Sequence, residues 1–281
     1  MVLLKLISYF PLWLLYLFSD LLFFIGYHLI RYRRKVVFTN LTNSFPNTSI
    51  SELRKIEKQF YRNLSDYAVE TLKLLTMSEA EIKRRVTFRN IELAETFTKQ
   101  GSSMIYITSH QFNWEWMFAS FCLNTSPTVY YVYQKQSSDS MTKFLSQIRQ
   151  RFGAKPIRRN KVAREVIRKK NTLFCIGILG DQFPTFDKRY WTTFLNQDTA
   201  FFQSINQLAV ITQYPVIYYV CRRQRRGYYE CELVKIAEPP YERDDCHIVD
   251  NYAKVCEKAI FEQPSGWLWS HNRWKQSRSE E

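Results

Sequence analysis

The six cysteines, Cys122, Cys175, Cys221, Cys231, Cys246 and Cys256, are scattered and contain no CxxC pair. That spacing indicates neither a disulfide framework nor a zinc site, and it fits a reducing, cytosol-facing location. Internal repeats, low-complexity tracts and Gly/Pro/Ser linkers are also missing, so one folded domain is expected to account for most of the 281 residues. Acidic residues are in deficit: 26 Asp and Glu stand against 40 Lys and Arg, a net charge of +14. Such an excess attracts anionic partners: phospholipid headgroups, phosphorylated substrates, acidic proteins or nucleic acid. Nucleic acid is disfavoured, because the basic region follows an apolar segment and carries no helix-turn-helix or single-strand-binding signature. With 46% apolar residues the chain is not disordered and can bury a sizeable core.

The longest apolar run lies at the N-terminus. "LISYFPLWLLYLFSDLLFFIGYHLI", Leu6 to Ile30, is mostly apolar, broken by Asp20 and His28 and carrying Pro11, and it matches the roughly 20 residues needed to cross a hydrocarbon core. No small-residue cleavage site follows; "RYRRK" does, so the segment is expected to stay attached as a membrane anchor. The cluster from Arg31 to Lys35 predicts that the rest of the chain faces the cytoplasm, whether the anchor spans the bilayer or lies in its interface. The expected organisation is an anchor over residues 1–30 and a single domain over 31–281.

Beyond the anchor, helical and extended patterns alternate. "SISELRKIEKQFYRNLSDYAVETLKLL" carries a Ser49-x-x-Glu52 capping signature and apolar residues at helical spacing, which predicts one long amphipathic helix. "SMIYIT", "TVYYVY", "AKPIR" and "TLFCIGIL" read as strands separated by helices such as "WEWMFASFCL" and "SDSMTKFLSQIRQRFG". "PVIYYVCRRQ" and "YYECELVKI" read as a hairpin around "RRG". The expected fold class is α/β: a mixed, mostly parallel sheet flanked by helices, with an N-terminal membrane-anchoring helix.

"SHQFNWEW", residues 109–116, follows the strand "SMIYIT" at the point where a helix should begin. Ligands in open α/β sheets bind beyond the carboxyl ends of strands. Five residues of ideal helix turn the chain by about 140°, so His110 and Glu115 can meet only if His110 precedes the helix. There His110 would act as a general base, with Glu115 holding its other ring nitrogen. From spacing alone, a core histidine beside a surface glutamate is the commoner outcome, because His-x4-Glu often occurs by chance.

The stretch resembles the His-x4-Asp/Glu signature of glycerolipid-type acyltransferases, and specifically the "HxGNWE" form of the lipid A late acyltransferases, the lauroyl and myristoyl transferases of outer-membrane biosynthesis. "YRRKVVFTNLTNSFP" (32–46), "GDQFP" (180–184), "FLN" downstream of it and "WLWSHNRWK" (267–275) are similar to further family segments and occur in family order. The resemblance implies transfer of a fatty acyl chain from a thioester, on acyl carrier protein or coenzyme A, to a hydroxyl of a lipid acceptor. It implies His110 as base and Glu115 as its orienting partner, with Asn113 shaping the site. The basic block "KPIRRNKVAR" supplies Arg158 or Arg159 as candidates to meet a phosphate, and Asp181, at another strand end, is a further candidate. The carrier protein, the lipid acceptor and the bilayer are the expected partners, at the cytoplasmic face of a bacterial inner membrane. A thioester donor calls for no metal or bound cofactor, and neither His247 nor His271 is expected to be a metal ligand.

The chain departs from the pattern at Phe112, where the family commonly has glycine, and in the aromatic "DTAFFQSINQLA" (198–209). A shifted acceptor or acyl preference is therefore expected. Cys122 is expected to be core, Lys188 and Arg189 to lie in an interfacial loop, and "CRRQRRG" (221–227) to form a solvated tip. Two other readings stand beside the leading one: acylation of a lysophospholipid or hydroxyacylated aminolipid, and a noncatalytic basic module on the membrane.

Overall fold

Short apolar runs become strands and the capped, amphipathic stretches become helices. The computed structural model describes residues 2–134, 138–185, 188–242, 247–276 and 278. Its strands are β1 (Val86–Phe88), β2 (Met104–Thr108), β3 (Thr128–Tyr133), β4 (Lys155–Arg158), β5 (Phe174–Leu179), β6 (Arg189–Phe194), β7 (Gln197–Phe202), β8 (Val216–Arg225) and β9 (Tyr228–Ala237). Its helices are α1 (Val2–Ser8), α2 (Leu12–Phe24), α3 (Arg34–Ser44), α4 (Ile50–Lys73), α5 (Glu79–Arg85), α6 (Glu92–Lys99), α7 (Trp114–Asn124), α8 (Asp139–Gln150), α9 (Val162–Arg168), α10 (Ser204–Thr212) and α11 (His247–Glu262). A π-helical turn, Ile25–Leu29, extends α2.

Seven strands form one sheet in the order β1-β9-β8-β2-β5-β3-β4, and β6 and β7 form a separate ribbon. All neighbours in the large sheet are parallel except β8 and β9, the expected hairpin. This is the mixed, mostly parallel α/β sheet that the run of apolar segments predicts.

Both faces of the sheet are buried because side chains alternate along each strand. On β2, Ile105 and Ile107 enter one core while Met104 and Tyr106 enter the other; Tyr218 and Tyr219 divide in the same way on β8. The first core packs against α11 and the C-terminal tryptophans, the second against α5, α6 and α7. Ser49 caps α4 as expected, its Oγ accepting from the Glu52 N–H at 3.3 Å. The five described cysteines are free; Cys122 is half-buried in α7, where burial pushes its thiol pKa up, and Cys246 lies outside the described residues.

The hairpin tip differs from expectation. Gln224 and Arg225 are exposed, but the other arginines are tied down: Arg223 donates to Asp66 at 2.7 Å, Arg226 bridges Asp66 and Asp20 at 2.6 and 2.7 Å, and Arg222 pairs with Glu232 and Glu262. The sequence showed four arginines together; three of them reach carboxylates on α2, α4, β9 and α11, while Arg225 is exposed with its guanidinium 4.0 Å from the centroid of the Tyr228 ring.

Candidate active site

Strand register builds the centre of the site. β2 and β5 are parallel neighbours, and Thr108 faces Leu179 at their carboxyl ends. Two residues further along each chain stand His110 and Asp181, so adjacent strands deliver the two side chains to the same place. Gly180 permits the close approach. Its N–H donates to the Thr108 carbonyl at 3.2 Å, and a Cβ at this position would come within 3.0 Å of Ile205 and 3.2 Å of the Tyr252 ring.

Asp181 is only 2% exposed, and among the described residues its hydrogen-bond partners are all donors. It accepts from the His110 backbone N–H at 2.8 Å, from His110 Nδ1 at 2.6 Å and from the Trp267 indole N–H at 2.8 Å. Burial alone would push this carboxyl up, but the His110 charge, its two hydrogen bonds and Trp267 hold the pKa down at about 2. An ionised carboxylate only accepts, so in the neutral imidazole the proton sits at Nδ1 and Nε2 presents a lone pair. Nε2 has the Gln182 side-chain nitrogen at 3.3 Å and opens on a cleft of about 680 Å³.

Glu115 lies in the first turn of α7, as the spacing required, yet its carboxylate turns away from the imidazole. It forms a two-pronged pair with Arg149 of α8, at 2.9 Å to Nε and 2.5 Å to Nη2, and is 2% exposed. Burial pulls the Arg149 pKa down, but Glu115 more than reverses it, so Arg149 keeps its charge. The structure thus brings His110 together with Asp181, and Glu115 together with Arg149. Trp114 lies between, edge-on to His110 at 4.9 Å and stacked on Tyr67 at 4.0 Å.

The cleft is lined by His110, Trp114, Glu115, Arg149, Arg159 and Gln182 on its polar side, and by Ile205, Leu208, Ile211 and Leu268 among its apolar residues. Of the two arginine candidates, Arg159 lines it, whereas Arg158 is exposed and donates to the Tyr133 hydroxyl at 3.3 Å. An apolar pocket under Trp114 and Arg149 continues toward Phe118, Phe121 and Gly177. Among the described residues no group of three His, Cys, Asp or Glu side chains is arranged to hold a metal ion.

Asn113 does not face the cleft. Fully buried, it caps α7 by accepting from the Trp116 N–H at 2.9 Å, and it donates to Glu70 of α4 at 2.8 Å. Glu70 is itself buried and also accepts from Tyr229 at 2.7 Å and Tyr16 at 2.8 Å, while its backbone carbonyl takes the Trp116 indole N–H. Burial pushes the Glu70 carboxyl pKa up. Phe112 adopts φ +47°, the left-handed backbone that glycine takes without strain, which is a physical reason for the glycine of the family form. Its ring packs inward on Gly266 and Tyr229, and its N–H donates to the Gly266 carbonyl at 2.8 Å. The ring therefore lies outside the cleft, so the change from glycine does not reshape the lining directly.

Local sequence could not place Glu70 or Arg149 beside the histidine loop, whereas Gln182 lay inside the singled-out segment "GDQFP". Trp267 lay in a segment already singled out, and the structure supplies its reason: it is the third donor to Asp181. His271, in the same segment, accepts from the Phe183 N–H at 3.2 Å; burial lowers its pKa to about 4.

No individually curated protein matches the chain. The model of the bacterial lipid A biosynthesis acyltransferases matches residues 1–276, a span that includes the histidine loop, the Asp181 strand end and the C-terminal tryptophan segment, and the chain belongs to that family.

Proposed function

We propose that this acyltransferase moves a fatty acyl chain from an acyl carrier protein thioester to the 3-hydroxyl of an acyl chain on a lipid A precursor, with His110 as general base. His110 Nε2 takes the proton of the acceptor hydroxyl, whose oxygen attacks the thioester carbonyl. The new C–O bond forms as the C–S bond breaks, and the proton passes from His110 to the leaving sulfur. Asp181 holds the tautomer and stabilises the imidazolium. Glu115 keeps Arg149 in place on the cleft wall; Arg149 and Arg159 offer positive charge to the oxyanion and to phosphates of donor or acceptor. The apolar half of the cleft suits a hydrocarbon chain, and its size lies in the range of small-ligand sites. No metal or other cofactor enters this scheme.

The observation that carries the reading is the 2.6 Å contact between Asp181 and His110 Nδ1, at the mouth of the cleft. The work is assigned to the cytoplasmic face of the inner membrane, where the apolar N-terminal helix and the basic surface would hold the enzyme beside its lipid acceptor. In the test, purified His110→Ala, Asp181→Asn and Glu115→Gln proteins are assayed with an acyl carrier protein thioester and a lipid A precursor. The first two should lose at least about 100-fold in turnover. If His110→Ala works as fast as wild type, the base assignment is wrong; if Asp181→Asn is silent while Glu115→Gln is crippled, the orienting role belongs to Glu115. Loss of one ester-linked chain from lipid A in cells lacking the gene, with phospholipids and aminolipids unchanged, would support the acceptor; the reverse pattern would refute it.

A further inference from the structure

The apolar segment Leu12–Leu29 is long enough to cross a bilayer by length and composition, yet it is built into the side of the folded domain. α2 runs antiparallel along α4. Tyr16 donates to Glu70 at 2.8 Å, Ser19 to Asp66 at 2.6 Å, and the Tyr27 ring meets Tyr61 at 5.3 Å. The corner between α1 and α2 is pinned as well: the Lys73 ammonium donates to the Ser8 and Phe10 carbonyls, both at 2.9 Å. The docked positions Leu12, Leu15, Ser19 and Tyr27 fall on one face, at helical spacing. On the opposite face Trp13, Leu17, Phe18, Leu21, Leu22 and Phe24 are exposed.

Charge decides between crossing and lying flat. Asp20, near the middle of the segment, pairs with Arg226 at 2.7 Å, and these side chains are 59% and 36% exposed. The Arg62 guanidinium lies 5.1 Å from the centroid of the Phe23 ring. If α2 crossed the bilayer, these charges and the polar helix α4 beside it would sit at hydrocarbon depth, where ionised side chains are costly. If α2 lies in the interface, the docked face stays with the protein, the apolar face enters the acyl region, and the charges remain at headgroup level. Lys5, Arg31 and Lys35, all exposed, stand near the two ends of the apolar face, where anionic headgroups would meet them.

We infer that α1, α2 and the π-helical turn form an in-plane binding face for an anionic phospholipid surface, with the N-terminus and the catalytic domain on the same side. This rests on the membrane association proposed above and specifies its geometry. The test uses the full-length protein with an epitope tag at each end, reconstituted into vesicles of phosphatidylethanolamine and phosphatidylglycerol and treated with protease from outside. Both tags should be lost together from any given population of molecules. Protection of one tag wherever the other is cleaved would mean that α2 crosses, overturning the in-plane geometry while leaving membrane association intact. Failure to bind vesicles at all would overturn the association itself.

Two further measurements bear on the face. The Leu17→Glu/Leu21→Glu variant should lose at least about tenfold in vesicle binding while unfolding at the wild-type temperature, since both positions point away from α4. Wild-type binding by that variant would place the lipid face elsewhere. Vesicles without phosphatidylglycerol should bind the wild type about tenfold more weakly; equal binding would remove the anionic requirement.

Discussion

Phe112 and Gly266 form a pair in which neither residue can be understood alone. Phe112 occupies left-handed backbone at a cost of about 1 kcal/mol, and its ring lies where a side chain at position 266 would go: a Cβ there would come within 2.4 Å of the ring. Gly266→Ala should therefore destabilise the fold by about 1–3 kcal/mol and disturb the loop that carries His110. In a Phe112→Gly background the same substitution should cost close to nothing; chemical denaturation of the four proteins measures the coupling. His110 was legible because it follows a strand and opens a recognisable signature. Its partner was assigned to Glu115, the nearer carboxylate in sequence, because nothing in the local pattern gives the β2–β5 register. Once that register is known, the choice of Asp181 follows from counting two residues past each strand.

At the scale of elements, α4 and α7 are joined through Glu70 and Asn113, and the join tests by polarity. Asn113→Asp keeps the helix cap but sets a second carboxylate against Glu70 in a buried site, so stability and turnover should both fall. Adding Glu70→Gln restores a donor to face the new acceptor and should recover about 0.5–3 kcal/mol of the loss. If the double variant is no better than the single one, the two residues are not a functional unit. Most strands of the large sheet were readable as apolar runs between helices. β1 was not, having only three residues, and the β6–β7 ribbon was hidden by its turn. Leu195 and Asn196 both adopt positive φ there, at 52° and 61°, without the glycine that usually announces such a turn. α3 stood inside a family-like segment and was assigned no structure. Its role became visible when Asn40 was found donating to the carbonyls of Trp269 and His271, at 2.9 and 3.0 Å.

For the whole molecule, pH reports on burial. An unfolded histidine takes up a proton near pH 6.5, whereas His271 in the folded chain does so only at about 4. Between those values the unfolded state binds more protons, so stability must fall as pH falls. His271 should account for a loss of about 2 kcal/mol between pH 7 and pH 5. His271→Gln, which keeps an acceptor for the Phe183 N–H, should flatten that part of the profile; an unchanged slope in thermal unfolding would assign the loss to other groups.

Trp267 has one more consequence. It supplies the third donor to Asp181, while Asn40 and Arg33 hold the carbonyls around it from the other end of the chain. Segments 229 and 237 residues apart in the chain thus meet beside Asp181, so its third donor is held in place only once these distant pieces have docked on one another.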